Sequence, residues 1–368
     1  MFEDNSYNAE GVRTEGDGAA VKISVVVPVY NAASTLEYTV GSILSPSFFG
    51  SCELILVDDG STDGSAELCD RLAGIDRRIR VIHKKNRGVS STRNEGIAAA
   101  SGEFVTFVDS DDLLPKDCLE TWLGALSGCG TDLLVGGYRC SGASSCAQAP
   151  GEDRLYGRDE LGQFIEDNLA DNGSYLRPVW GKLFRKSLID SAKLRFEPGL
   201  NYGEDVLFLF RFILSCDSVR TLPNCVYIYR TGSEGLSADL SSDRHIMQLM
   251  FLLEPYSAVL LEMGERFRTS AKAVSLYHRD LVGRLICRIL TVFATRGTAL
   301  CNADNISRIY HYMKKDRLLT RPGGVFSLRK GQIPNLLLFC IGSSRLSASF
   351  YRLSSSVCGM LGIHPRRY

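Results

Sequence analysis

The stretch Phe104-Val105-Thr106-Phe107-Val108-Asp109-Ser110-Asp111-Asp112 decides how this chain is read. Five apolar or β-branched residues end abruptly in three carboxylates. That is the pattern of a buried strand delivering acids at its carboxyl end, the end where open α/β sheets bind ligands. Asp109 and Asp111 are two apart and project to one side of an extended backbone. Carboxylates held that close need a neutralising cation, or one of them must take a proton. A divalent ion with oxygen ligands, Mg²⁺ or Mn²⁺, fits such a pair and completes its shell with phosphates. The same residues also read as plain turn chemistry, because Asp and Ser are natural caps where a strand gives way to a helix.

Upstream, the pattern repeats three times. Ile23 to Val27 is a mostly β-branched strand closed by Pro28 and followed by Tyr30-Asn31; Ser34-Thr35-Leu36-Glu37 has the spacing of a capping box, and Leu36, Val40, Ile43 and Leu44 continue at helical spacing. Leu54 to Val57 is a second strand, ending in Asp58-Asp59-Gly60-Ser61-Thr62-Asp63 before an amphipathic run. A third, Arg80 to His83, leads through Asn86-Arg87-Gly88 into helix-like Val89 to Ala100. Short apolar strands alternating with helical segments predict a mostly parallel sheet with right-handed crossovers. The polar loops all follow carboxyl ends of strands, so they should converge on one crevice.

Downstream, Leu119, Trp122, Leu123 and Leu126 mark the core face of a helix, and Leu133 to Val135 reads as a further strand. Residues 141–151 read as a surface loop and Glu160 to Leu169 as a helix. Val179-Trp180-Gly181-Lys182-Leu183-Phe184 follows, and then Tyr202-Gly203-Glu204-Asp205 opens the apolar segment Val206 to Leu214. Acids in a first helical turn are favoured by the dipole, so capping alone accounts for Glu204 and Asp205. Core packing and solvated charge are likewise sufficient readings of Trp180 and Lys182.

The chain has 368 residues, 45% hydrophobic and 23% charged, with 42 basic and 42 acidic side chains. That is an ordinary globular composition with no overall charge signature, and no nucleic-acid partner is expected from it. Residues 305–368 nevertheless carry a net charge of +10, and the rest of the chain −10. Twelve cysteines without a CxxC pair suggest reduced thiols in a cytoplasmic protein. The acidic N-terminus lacks the order of a secretion signal, and no uninterrupted apolar run approaches the ~20 residues of a bilayer span. We therefore expect a disordered lead-in over 1–20, an α/β domain over 21–240 and a helical region over 241–368, its first helix broken near Pro255. Leu346, Phe350, Leu353, Val357 and Leu361 form one helical stripe beside basic residues. Such a stripe packs on the protein's own core, the commoner use, or lies peripherally on an anionic inner membrane face.

Taken together, these segments resemble a family 2 glycosyltransferase of the GT-A fold. The resemblance rests on Val27-Pro28-Val29-Tyr30-Asn31, Leu56 to Asp63, Gly88 with Arg93-Asn94-Glu95-Gly96, Asp109 to Asp112, and Glu204-Asp205. It covers roughly Lys22 to Arg230 and does not reach the helical extension. The Gln-x-x-Arg-Trp signature of processive synthases is absent, which speaks against processive polymerisation.

The resemblance implies a Rossmann-like α/β domain that takes a nucleoside-diphosphate sugar, with uridine favoured, and inverts the anomeric carbon. Pro28, Tyr30, Asp58 and Asp59 would hold base and ribose, Asp109 the ribose or donor sugar, and Asp111 the Mg²⁺ or Mn²⁺. Arg93 would offset phosphate charge or pair with Asp59 or Asp109. Asp205 would be the general base, with Glu204 positioning the acceptor or substituting, and Trp180 and Lys182 would line the acceptor side. The acceptor expected is a glycan or a lipid-linked hydroxyl in cell-surface polysaccharide or glycolipid synthesis. The other reading is a nucleotide-sugar-binding scaffold without activity. A dinucleotide enzyme is disfavoured, because no GxGxxG turn follows the first strand.

Overall fold

The computed structural model describes residues 23–44, 52–127, 130–141, 147–170, 174–231 and 243–270, with single helical positions at 274, 285, 289, 304, 305, 308 and 309. The expected lead-in over 1–20 and the basic stripe near the C-terminus lie outside the described residues.

Four strands follow the alternation read from the sequence: β1 (Ile23–Val29), β2 (Cys52–Asp58), β3 (Ile79–His83) and β4 (Phe104–Phe107). Helices α1 (Leu36–Ile43), α2 (Ser65–Ile75) and α3 (Val89–Ala99) connect them. β1 pairs in parallel with β2 and β4, and β2 with β3. The strand order 3-2-1-4 reverses direction at β1, so the loops after β1 and β4 open side by side, as at the ligand crevice of a doubly wound sheet. Pro28 is tolerated in β1 because pairing with β4 ends at Val26, leaving no ladder bond there for the missing N–H.

The second half of the sheet is mixed. After α4 (Cys118–Leu126) come β5 (Leu133–Ser141), the short β6 (Ala147–Gln148) and β7 (Arg154–Tyr156), α5 (Leu161–Ala170), β8 (Lys182–Arg185), α6 (Lys186–Ser191), α7 (Glu204–Ile213), β9 (Val219–Arg230) and α8 (Asp243–Arg266). β8 is antiparallel to both β4 and β5 and bridges the halves; β9 runs parallel to β5 and carries β7 on its far side.

Alternation along the strands sends Val25, Val27, Leu54 and Leu56 to the face covered by α1, α2 and α4, and Val26, Ile55, Val57 and Phe107 to the face covered by α3, α5, α7 and α8. α8 shares this second core through Ile246, Leu249, Leu253 and Tyr256. It is long and apolar enough to cross a membrane by length and composition, but 56% of its most apolar window is buried within the protein.

Three local expectations are corrected. The Ser34–Glu37 capping box at the start of α1 does not form: the cap position falls to Thr35, which makes no side-chain cap bond, and Thr35 and Thr39 both donate to the Ser110 carbonyl at 2.9 Å, tying α1 to the acidic loop. α8 runs unbroken through Pro255. The carbonyl four residues earlier belongs to exposed Phe251, where water can replace the lost bond. Cys140 is disulfide-bonded, because a bridge needs two thiols within reach and no CxxC spacing. Cys52, Cys69, Cys118, Cys216 and Cys225 are free.

Candidate active site

The acidic loop after β4 divides its carboxylates between two tasks. Asp112 is buried; it accepts the Tyr227 hydroxyl at 2.7 Å and the Arg230 amide at 2.8 Å, which fastens the loop to β9. Burial, aided by the Asp109 charge, pushes its carboxyl up to about 7. Asp109 and Asp111 remain half-exposed. Asp109 receives Arg93 Nη2 at 3.1 Å through its side chain, and its amide donates to the Tyr227 hydroxyl at 3.2 Å. Burial raises the Asp109 carboxyl, and Arg93 works against that rise.

Arg93 is the hub of the site. It projects from α3 with 4% of its side chain exposed, and Nη1 donates to Glu204 at 2.9 Å and to Asp205 at 2.6 Å. One guanidinium therefore joins the acids after β4 to the acids opening α7, a use of its fork that a lysine could not match. Nη1 and Nη2 are committed to these side chains and not to Asp59, while the buried Nε has no partner among the described residues. The neighbouring Asn94 makes a two-way clamp with the Phe196 backbone, at 2.9 and 2.8 Å, and Ser90 donates to the Leu200 carbonyl at 2.6 Å. α3 thus also holds the segment leading into Glu204.

The two acids of α7 differ. Glu204 is 8% exposed and Asp205 20%. Burial and the Asp205 charge push the Glu204 carboxyl up, with Arg93 opposing. Asp205 also accepts the Val179 amide at 3.4 Å. Gly203 sets the turn before them at φ +76°, and its carbonyl accepts the Tyr256 hydroxyl of α8 at 2.7 Å. An added Cβ there would lie 2.4 Å from that hydroxyl, so the close approach of α8 requires glycine.

On the other side of the crevice, Asp59 accepts Lys84 Nζ and the amides of Arg87 and Gly88, at 2.9 and 2.8 Å for the amides. Asp58 accepts the Ser61 amide at 3.0 Å and lies 3.1 Å from His83 Nδ1. Both carboxylates are buried and first of all fix the loop around them; Asp59 already accepts three donors, two of them on Oδ1. Tyr30 stands 47% exposed at the mouth of β1, and Asn31 links this loop to the next by accepting the Thr62 amide at 2.8 Å. Pro28 lies in β1, half-buried, two residues before Tyr30.

Lys182 does not face the crevice. It is fully buried, with Nζ on the carbonyls of Tyr175 at 2.6 Å and Trp180 at 3.3 Å. Burial pulls its amine down to about 7, against the pull of Asp205. Trp180 is half-exposed and stacks on Tyr227, with centroids 4.3 Å apart and planes 7° apart. Asn94, Tyr227 and the Ser90 tether were not identified from the sequence. Asn94 is adjacent to Arg93 in the quoted motif, but nothing local marks Tyr227, whose partners lie more than a hundred residues upstream.

Among the described residues no three His, Cys, Asp or Glu side chains converge as a ready metal cage. Asp109 and Asp111 are nonetheless hard oxygen donors on one loop in an acid-rich crevice, which suits a divalent ion that takes one or two carboxylates and otherwise phosphate and water.

Comparison with known proteins agrees with this architecture. The family model for glycosyl transferase family 2 matches residues 24–191. Glycosyltransferase GlyA of Streptococcus pneumoniae is 33% identical over 230 residues, which is 59% of this chain but 31% of GlyA, so the chain spans under a third of that relative. Glycosyltransferase GlyG of the same organism is 31% identical over 62% of this chain and 77% of its own length. The crystal structure of Staphylococcus aureus TarS 1–349 in complex with UDP-GlcNAc superposes with a TM-score of 0.60 over 94% of this chain and 93% of that one, at 17% identity. Similarity at that level speaks to the fold, which is GT-A.

Proposed function

The chain belongs to glycosyl transferase family 2, and on that premise we propose that it moves a sugar from a nucleoside-diphosphate sugar, with uridine favoured, to a hydroxyl of a glycan or lipid-linked acceptor in cell-surface glycan synthesis. The observation that carries this reading is the Arg93 junction, which ties the donor-side Asp109 and the acceptor-side Asp205 into one crevice at the carboxyl ends of the strands.

In this reading Tyr30 and the Asp58 and Asp59 loop receive the nucleotide. Asp109 orients the ribose or donor sugar, and Asp111 with Asp109 holds Mg²⁺ or Mn²⁺. When bound, that ion supplies Lewis-acid stabilisation of charge on the departing diphosphate. Inversion by single displacement needs a base on the face opposite the leaving group. Asp205 has the better claim: it is the more exposed of the pair and is oriented from two sides by Arg93 and the Val179 amide. Its free lone pairs take the proton of the acceptor hydroxyl as the C–O bond forms. Glu204, more deeply buried, holds Arg93 and thereby Asp205. The proposed location is the cytoplasmic face of a membrane, supported by the +10 charge of residues 305–368; flotation with anionic liposomes tests it, and binding unchanged on deletion of those residues overturns it.

The donor site is tested by thermal stabilisation of the full chain with a panel of nucleoside diphosphates and their sugars, with and without Mn²⁺, repeated on Asp111→Ala. We expect a metal-dependent rise for one nucleoside, lost in the variant. No rise with any nucleotide contradicts the reading.

A further inference from the structure

The aromatic cluster beside Asp205 holds the acidic loop through Tyr227, and its Trp180 is the residue that the family resemblance sets on the acceptor side. β5 and β9 run in parallel with Tyr138 opposite Tyr227 and Cys140 opposite Tyr229, so Tyr138, Tyr227 and Tyr229 share one face of the sheet. Trp180 lies against that face. Its ring is stacked with Tyr227 and, 6.1 Å away at 15°, with Tyr229, and it meets Tyr138 edge-on at 4.8 Å. Tyr227 is buried and committed to the acidic loop, whereas Tyr229 is 38% exposed and Trp180 half-exposed. Among the described residues neither the Trp180 Nε1 nor the Tyr229 hydroxyl makes a hydrogen bond, so the outer part of the cluster keeps both an apolar surface and unused polar tips.

The cluster is held ready. Gly181 turns the chain at φ +69°, and its carbonyl accepts the Gly136 amide at 3.0 Å. The buried Lys182 grips the Trp180 carbonyl from behind. One residue before Trp180, the Val179 amide touches Asp205, so the aromatic surface begins beside the proposed base. It is also well away from the nucleotide loops: β5 is four strands from β2 in the sheet order, roughly 19 Å at the usual strand spacing, whereas β4 with Asp109 is only two strands away.

The geometry points to an acceptor subsite in which Trp180 and Tyr229, edged by Tyr138, stack against the C–H face of a neutral sugar ring and offer its hydroxyl to Asp205. This rests on the transferase reading and deepens it by naming the acceptor class. A pyranose has one face of weakly positive C–H bonds, which complements the negative face of an aromatic ring and removes apolar surface from water. Its hydroxyl edge can donate to carboxylates. A polyol phosphate has no flat apolar face to lay on these rings, and it would bring its anion beside the Glu204 and Asp205 carboxylates, which already share the Arg93 guanidinium.

The chain has two tryptophans and Trp122 is fully buried, so ligand quenching of intrinsic fluorescence reports on Trp180. The full chain is titrated with methyl glucoside, galactoside, mannoside and N-acetylglucosaminide in pyranose form, and separately with glycerol 1-phosphate and ribitol 5-phosphate. Fluorescence and saturation-transfer NMR are read on wild type, Trp180→Leu and Tyr229→Ala. Stabilisation by nucleotides is measured on the same samples. We expect one or more pyranosides to quench Trp180 and to receive saturation at the C–H protons of one face. Tyr229→Ala, at the exposed edge, should weaken that binding about tenfold and leave the nucleotide shift unchanged. Binding of the polyol phosphates but of no pyranoside, or pyranoside binding unaltered in both variants, overturns the proposal. If the nucleotide shift is intact in those cases, the acceptor assignment fails alone; loss of the nucleotide shift in wild type is failure of the transferase reading itself.

Discussion

Replacing Arg93 with methionine is the perturbation whose consequences the geometry defines most fully. The side chain is 4% exposed and meets three carboxylates at 3.1, 2.9 and 2.6 Å. Methionine approximates its volume, so packing changes little and the loss is electrostatic. Breaking a buried ion pair by removing one partner costs about 3–5 kcal/mol, or roughly 10 °C in melting temperature for a unit of this size. The loss should depend on pH in a defined direction. Asp109 and Glu204 already sit above their ordinary range because of burial, and Arg93 opposes that rise in both. Without it they rise further, so the folded state binds protons that the unfolded chain has released. Stability from a raised carboxyl is present below the ordinary value and lost as pH increases, so the variant should approach wild type near pH 4 and fall furthest behind near pH 8. Arg93→Lys, which keeps the charge but not the fork, should be intermediate. Thermal melts from pH 4 to 8 measure this. A melting temperature within about 2 °C of wild type at pH 8, or a deficit that does not change with pH, would falsify the hub.

Further expectations follow from single contacts. Gly203→Ala forces a side chain into φ +76° and against Tyr256 and Leu252; we expect a loss of about 1–3 kcal/mol from the backbone alone and a lower kcat, because the start of α7 is displaced, read by melting and rate together. The His83 imidazole is raised by Asp70 and then Asp58; its stabilisation is complete below 6.5 and lost as pH rises through the raised value, so His83→Gln should flatten wild-type stability above about pH 6.5. Lys182, pulled down to about 7 from 10.5, makes wild type lose stability as pH falls from 10.5 towards 7; Lys182→Met should remove that slope, and a slope retained in the variant would assign it to other groups and contradict the prediction.

The first half of the fold was legible because β1, β2 and β4 are continuous apolar runs closed by polar loops, as buried parallel strands must be. In the second half α4, β5 and α5 were legible, whereas β8 and β9 were not. β8 is four residues with a charge at each end, and β9 is interrupted by Pro223-Asn224 near irregular pairing with β5, so neither carries a clear period. At the site, the acids were readable as a group and their division of labour was not. Asp112 is distinguished from Asp111 only by Tyr227 and Arg230, which approach from β9. Arg93 was readable as a cation near acids, but its partners Glu204 and Asp205 lie more than a hundred residues on, and the bonds of Ser90 and Asn94 to the segment before α7 that help bring them there are not encoded locally. The failed capping box has the same origin: Thr35 and not Ser34 takes the cap position, and its hydroxyl is turned to the distant Ser110 carbonyl.

The most direct test of the account is Asp205→Asn. Asparagine keeps the shape and can still accept Arg93 through Oδ1, while the basic lone pair is gone. Transfer from the donor identified by thermal shift to the acceptor that binds best should fall by about 10²–10⁴, with nucleotide stabilisation and melting temperature close to wild type. Transfer at the wild-type rate in Asp205→Asn would contradict the assignment of the base, and with it the claim that Arg93 joins donor and acceptor sides of one catalytic centre.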